Sequence, residues 1–262
     1  IVDEAPPGAT VYGTRMLWKD KPPLNGMDAR CKGRLVIRNF KSDVSANVFA
    51  PVCRVETIRY LLSEVAAQPS WVLHHVDICN AFCTAKLDSP VYIHAPRCMV
   101  EADPTLKGKK VKVNRALYGL GISPRTFNKH LHAKVKHYGY TVSPADPCLY
   151  VKHDGDGVSY LLCYVDDILF IGCDVHRQAF QHSVNIETNP AHGFKVRDYV
   201  VPTSFLGMEF TRDVAAKRFK ISQGAYIRSI GKRFNVSADN APTTPLPPGL
   251  KIESMADAPA VD

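Results

Sequence analysis

The stretch SYLLCYVDDILFIGCD, residues 159–174, restricts what this chain can fold into more than any other. YLLCYV and ILFIGC are each of strand length and rich in β-branched and aromatic residues, and only Asp166 and Asp167 interrupt them. The pattern predicts a β-hairpin of two buried strands with the carboxylates at its tip. Two carboxylates fixed side by side repel each other unless a cation sits between them. One reading is therefore a divalent metal site; the other is a plain turn, in which Asp is a common residue. The window leaves both open, so residues elsewhere must decide.

With 262 residues, 45% of them hydrophobic, the chain is able to bury one large core or two small ones. Lys and Arg outnumber Asp and Glu by 33 to 25, and the resulting charge of +8 favours an anionic partner such as nucleic acid. The eight cysteines form no CxxC pair and are expected to be reduced, buried, intracellular thiols rather than disulfides or zinc ligands. No signal peptide and no bilayer-length apolar run is visible, so a soluble protein without a membrane partner is expected. The start at Ile1 reads as a piece of a longer chain, and the tail APTTPLPPGLKIESMADAPAVD reads as a linker. LKGKK lacks the GxxxxGK[ST] frame, which sets a P-loop nucleotide hydrolase aside.

Along the chain, RCKGRLVIRNF puts Lys32, Arg34 and Arg38 on one parity and predicts a strand with a cationic face. RVETIRYLLSEVAAQ carries Val55, Ile58, Leu62 and Val65 at helical spacing. WVLHHVDICNAF reads as a strand with Val76 and Ile78 facing one way and Asp77 the other, where burial would be costly without a cation or donor. SPRTFNKHLHAKVKHYG predicts a helix with Ser123 as N-cap, Pro124 at its first position and Gly139 as its stop. Phe127, Leu131, Val135 and Tyr138 form its apolar stripe. Arg125, Lys129, His132 and Lys136 form a basic stripe, which fits either a phosphate backbone or a solvated face. LKGKKVKVNR adds further positive charge. YVVPTSFLGMEFTRD suggests strand and turn, and KRFKISQGAYIRSIGKRF a strand followed by a helix. Strands and helices mix without strict βαβ alternation, which favours an α+β fold.

Taken together, these stretches resemble the reverse transcriptase of Ty1/copia-type LTR retrotransposons. The resemblance runs in order through RLVIRNF, NVFAPVCRVETIRYLL, HHVDICNAF, KLDSPVYIHAP, RALYGLGISPRTFNKHL, GYTVSPADPCLYV, YLLCYVDDILFIG, SFLGMEF and FKISQGAYI, covering most of residues 30–230. It implies a right-hand polymerase fold with fingers, a ferredoxin-like palm and a partial thumb. The implied division is 1–75 fingers, 76–87 a palm strand with the first catalytic Asp, 88–122 the second part of the fingers, 123–225 palm, and 226–262 the start of the thumb with a Pro-rich tail.

The resemblance also implies an RNA-directed DNA polymerase whose catalytic, metal-holding carboxylates are Asp77, Asp166 and Asp167. Its cofactor would be two Mg²⁺ ions, with Mn²⁺ as an alternative, because nucleotidyl transfer needs hard oxygen ligands around an in-line displacement. Lys32 and Arg34 would grip the triphosphate, Phe82 would lie under the incoming sugar, and Tyr118 and Gly119 would line the nucleotide and template pocket. Phe82 has core packing as its other reading. Phe205, Leu206 and Gly207 would position the primer end, and Val165 would sit in a strained turn. Implied partners are an RNA template, a DNA or tRNA primer, deoxynucleotides, and the integrase and RNase H segments of a Pol polyprotein. The implied location is a cytoplasmic virus-like particle with a nuclear stage. Departures from the family pattern are Gly121 and Ile122 in place of Lys-Gln, Phe127 in place of Trp, and Cys79 in place of Lys. The alternative from a different class is a truncated, inactive remnant that only binds nucleic acid.

Overall fold

The structure is a computed structural model and describes residues 1–21, 29–38, 48–155 and 157–236. The proline-rich tail, expected to be a linker, lies outside the described residues. In chain order the elements are β1 (Val11–Lys21), β2 (Arg30–Arg38), α1 (Val55–Ala67), β3 (Trp71–Ile78), α2 (Ala81–Thr84), β4 (Lys86–His94), α3 (Arg97–Ala102), β5 (Lys110–Arg115), α4 (Ser123–His137), β6 (Thr141–Val142), β7 (Leu149–Asp154), β8 (Gly157–Tyr164), β9 (Asp167–Cys173), α5 (Asp174–Val184), β10 (Val196–Val200), β11 (Ser204–Phe205), β12 (Met208–Asp213), β13 (Arg218–Ser222) and α6 (Gly224–Arg233).

Three sheets result, with orders β2-β1-β4-β5, β10-β3-β9-β8-β7-β6 and β11-β12-β13. In the four- and six-stranded sheets, and between β11 and β12, pairing is antiparallel except between β1 and β4. The fold is thus mixed α/β with antiparallel ladders, in line with the expected lack of βαβ alternation. The six-stranded sheet buries Val76 and Ile78 of β3, Leu161 and Cys163 of β8, and Ile168 and Phe170 of β9 in one cluster with Phe127, Leu131 and Val135 of α4. The strands owe their continuous apolar runs to this burial on both faces. All eight cysteines are free thiols, and Cys163 lies in that core. The chain divides into one unit of Ile1–Pro202 with Arg212–Phe219 and another of Thr203–Thr211 with Lys220–Asp262.

Three local expectations are corrected. The hairpin turn is Val165-Asp166, because Asp167 already pairs with Tyr164 as the first residue of β9. Phe82 lies on the one-turn helix α2, since Asn80 adopts a left-handed φ of 51° that ends the strand. Ser123 is the first residue of α4 after an Ile122 cap, and its hydroxyl donates to the Leu117 carbonyl at 2.6 Å instead of capping. Gly139 does follow the helix, at φ 88°.

Helix α1 shows how a missing local cap is supplied from afar. Arg54 at its N-cap has no acceptor to offer, and Asp146, 92 positions away, accepts from the Arg54 backbone N–H at 2.9 Å and from the Thr57 hydroxyl at 2.7 Å. The Cys148 N–H donates to its other oxygen at 2.8 Å. Burial alone would raise the Asp146 carboxyl, but these hydrogen bonds outweigh it and hold the group below the usual carboxylate range.

Candidate active site

Sheet register assembles the carboxylates. Asp77 near the end of β3 stands opposite Asp167 on β9 and opposite Arg197 on β10, so it sits between two strands with its apolar neighbours pointing into the core. Asp166 occupies the β8–β9 turn, and its carbonyl accepts from the Ile78 N–H at 2.8 Å, which ties the turn to β3 one residue beyond Asp77. Val165 adopts φ 54°. A β-branched residue in the left-handed region costs on the order of 1–2 kcal/mol, and Val165 is held there by packing against the core. The sequence-based expectation of a strained residue at this point agrees with the backbone.

The electrostatics show a negative cluster short of positive charge. Burial pushes the Asp77 carboxyl up and Asp167 adds to it, while Arg197, His75 and Lys32 oppose the shift. Burial also raises Asp166, with repulsion from Asp167 and Asp77, opposed by a backbone hydrogen bond and by Lys32. Two basic side chains already lean on the cluster: the Arg197 guanidinium lies 3.5 Å from Asp77 Oδ2, and His75 Nε2 lies 2.7 Å from Asp167 Oδ1. As the side chains stand, no three His, Cys, Asp or Glu groups among the described residues form a metal cage. The donor set nevertheless fits a hard divalent cation. Its oxygens are all carboxylate, carried by β3, the turn and β9, and the burial and mutual repulsion that raise Asp77 and Asp166 are what such a charge would offset.

The residues expected on the nucleotide side gather near this cluster. Lys32 and Arg34 lie on β2, and Lys32 acts electrostatically on both Asp77 and Asp166. The Arg34 guanidinium stands 5.4 Å from the centre of the Tyr118 ring, and its Nε is buried with no hydrogen-bond partner. Burial and Asp166 raise the Tyr118 hydroxyl, against Arg34, so this phenol feels both the cation and a carboxylate of the cluster. The Phe82 ring lies 5.1 Å from Tyr118 and 6.1 Å from Phe127. Gly119 makes the junction: Ile37 N–H donates to the Tyr118 carbonyl at 2.8 Å, and a Cβ on Gly119 would stand 2.2 Å from the Ile37 carbonyl oxygen.

Other expected residues fall elsewhere. Phe205 is buried, and Leu206 and Gly207 form the β11–β12 turn, with Leu206 at φ 49°, in the second unit. The basic stripe of α4 divides: Lys129 is exposed and lines a cavity, His132 Nδ1 lies 3.3 Å from the Tyr150 hydroxyl, Arg125 is half-buried and Lys136 is exposed. Sequence reasoning missed His75 and Arg197. The two-residue period of a strand puts His75 on the face of Asp77 and could have found it. Arg197 carries no such signal, because only the pairing of β10 with β3 brings it there.

Comparison with known proteins gives the family. A profile of the family described as reverse transcriptase (RNA-dependent DNA polymerase) matches residues 1–248. The chain is 31% identical over 255 residues to the retrovirus-related Pol polyprotein from transposon RE1 of Arabidopsis thaliana, covering 96% of this chain and 17% of that protein. It is 28% identical over 256 residues to the Pol polyprotein from transposon TNT 1-94 of Nicotiana tabacum, covering 95% and 18%. It therefore spans under a fifth of the length of these two relatives. A putative transposon Ty5-1 protein of Saccharomyces cerevisiae is 30% identical over 95 residues, 36% of this chain and 30% of that one. On these grounds the chain belongs to the reverse transcriptase family found in the Pol polyproteins of copia-type retrotransposons.

Proposed function

We propose that this chain is the RNA-directed DNA polymerase segment of a retrotransposon Pol polyprotein, adding deoxynucleotides to a primer 3′-hydroxyl on an RNA template. The observation that carries the reading is the convergence of Asp77, Asp166 and Asp167 beside Lys32, Arg34 and Tyr118. The carboxylates would hold two Mg²⁺ ions, or Mn²⁺, which when bound activate the attacking hydroxyl and neutralise the leaving pyrophosphate. Arg34, with an unpartnered Nε, and Lys32 would take the triphosphate oxygens. Phe82, its ring tilted against Tyr118 at 5.1 Å, would floor the sugar site and leave no room for a 2′-hydroxyl.

In this reading the sheet built from 11–38 and 86–115 belongs to the fingers, and the six-stranded sheet from 71–78 and 141–200 to the palm. The thumb would start with α6. The template, primer and remaining Pol segments are the partners the reading requires.

A second reading, a remnant that binds nucleic acid without turnover, draws on the pairing of Asp77 with Arg197 and of Asp167 with His75, which puts protein side chains where metal would act. Primer extension on RNA and DNA templates, with and without Mg²⁺, separates the two. Metal-dependent incorporation is expected, and retained template binding with no incorporation at any metal concentration would reject the polymerase.

A further inference from the structure

A cavity in the first unit lies away from the carboxylates. It has a volume of about 650 Å³ and is lined from four parts of the first unit: Thr84 at the end of α2 with Lys86 and Asp88 of β4, Arg115 at the end of β5, Lys129, His130 and Lys134 of α4, and Lys195 with Phe194 before β10. That volume lies in the range of small-molecule sites, roughly 300–1,000 Å³. Five Lys or Arg side chains face one carboxylate there, Asp88.

The cationic lining is built rather than fortuitous. Arg115 donates to the Thr84 carbonyl at 2.7 Å, and Lys134 donates to the carbonyls of His192 at 2.7 Å and Gly193 at 3.1 Å while its ammonium lies 4.8 Å from the centre of the Phe194 ring. Burial depresses Lys134 below its usual range, and His130, edge-on to Phe194, is depressed by burial and by Lys134 and Arg115. These groups therefore form fixed walls. Lys86, Lys129 and Lys195 at the exposed rim pair with no acidic side chain among the described residues. Of the two rings in the lining, Phe194 is 1% exposed and the half-buried His130 imidazole stands edge-on against it, so the cavity offers a base little face to stack on. Charge without a stacking surface reads phosphates, not bases.

We propose that this cavity is a second anion site, specific for closely spaced phosphate groups, supplied either by a free polyphosphate or by the phosphodiester backbone of a single strand. It is independent of polymerase activity, since no carboxylate of the candidate active site lines it. It does share a structural wall with that site: Phe194 lies 6.3 Å from Phe127, which contacts Phe82, and the Lys195 carbonyl accepts from the Cys79 N–H at 2.8 Å. An occupant would thus brace the segment from which Asp77 projects.

The test is equilibrium binding with divalent cations removed by chelation. Inorganic tripolyphosphate is followed by calorimetry and a fluorescent ten-residue thymidine oligonucleotide by anisotropy, over a range of salt. Lys86→Ala and Lys129→Ala alter exposed rim residues and are expected to weaken binding by roughly an order of magnitude each, and to flatten the oligonucleotide salt slope by about one counterion each. Lys107→Ala, exposed and outside the lining, is the control and is expected to change neither. Weakened binding of both ligands assigns the site to free polyphosphate as well as strand, and weakened binding of the oligonucleotide alone assigns it to the phosphodiester backbone. Rim variants that match wild type, or that match Lys107→Ala, overturn the proposal, as does failure of both ligands to bind.

Discussion

Replacing Gly119 by alanine tests the junction on which the nucleotide side of the site depends. Gly119 has φ 86°, and an added Cβ would meet the Ile37 carbonyl oxygen at 2.2 Å, Val36 Cγ1 at 2.7 Å and Ile37 N at 3.0 Å. A left-handed alanine costs about 1–2 kcal/mol. The overlap is with backbone on β2, so the strand must retreat, and the Ile37 N–H bond to Tyr118 is lost or stretched at a cost of roughly 0.5–1.5 kcal/mol. The sum is about 1.5–3.5 kcal/mol, or a fall in Tm of roughly 3–14 °C for a chain of this size. Gly121→Ala is the matched control, since its Cβ would meet only Val48 Cγ1 at 3.7 Å and its φ lies outside the left-handed region. The assay is thermal unfolding of both variants beside wild type, with nucleotide KM measured wherever extension is detectable. Because β2 carries Lys32 and Arg34, Gly119→Ala is also expected to raise KM more than it lowers kcat. A Gly119→Ala melt within about 2 °C of wild type, or equal to that of Gly121→Ala, would refute the close approach of the two backbones.

Asp77→Asn and Asp166→Asn are each expected to abolish extension while leaving template-primer binding in place. Both carboxyls are raised in the fold, so the folded state binds more protons than the unfolded one and stability falls as pH rises through that window; without divalent metal at pH 7, either Asn variant should therefore melt above wild type. Asp146 has the opposite sign, being lowered, so its contribution is present above the unfolded carboxylate pKa and fades as pH falls through its folded value. Asp146→Ala should cost about 2–4 kcal/mol at pH 7 by stranding the Arg54 and Cys148 N–H groups, and should flatten the acid limb of the Tm–pH curve. Phe82→Val should relax discrimination against ribonucleotides, read as the kcat/KM ratio for matched deoxy- and ribonucleotides; an unchanged ratio with a lowered Tm would leave Phe82 as core only. Lys136→Ala, on the exposed part of the α4 stripe, should flatten the salt slope of template binding by about one counterion, and an unchanged slope would make that position a solvated face.

What the sequence made legible follows from which forces act locally. The hairpin was readable because burial on both faces forces continuous apolar strands, and Asp77 stood out because Val76 and Ile78 around it obey the strand period. Ser123 misled because a residue well suited to capping was captured by a nearer acceptor, the Leu117 carbonyl. The cap that α1 needed came from Asp146, and a capping interaction over 92 positions leaves no mark in a local window. The basic stripe of α4 had the right helical spacing, but spacing gives a face, not what lies opposite it. Tyr150 lies opposite His132, while Lys129 shares its cavity with Lys134, which the stripe omitted.

The one-residue displacement of the turn carries the deeper consequence. With Asp166 and Asp167 both at the tip, their separation would depend on a flexible loop. With Asp167 as the first residue of β9, it is fixed opposite Asp77 by the same ladder that buries Ile168 and Phe170, and only Asp166 depends on the turn. The turn is in turn locked by the bond from Ile78 N–H to the Asp166 carbonyl and by the core packing of Val165. Left-handed strain at Val165 and repulsion among three carboxylates are both unfavourable in isolation, and both are tolerated because the six-stranded sheet overdetermines the geometry around them. A sequence that spends core stability to hold charges together in this way is under constraint from what those charges do, and that argument favours a working metal-dependent site over a remnant more directly than any single residue match.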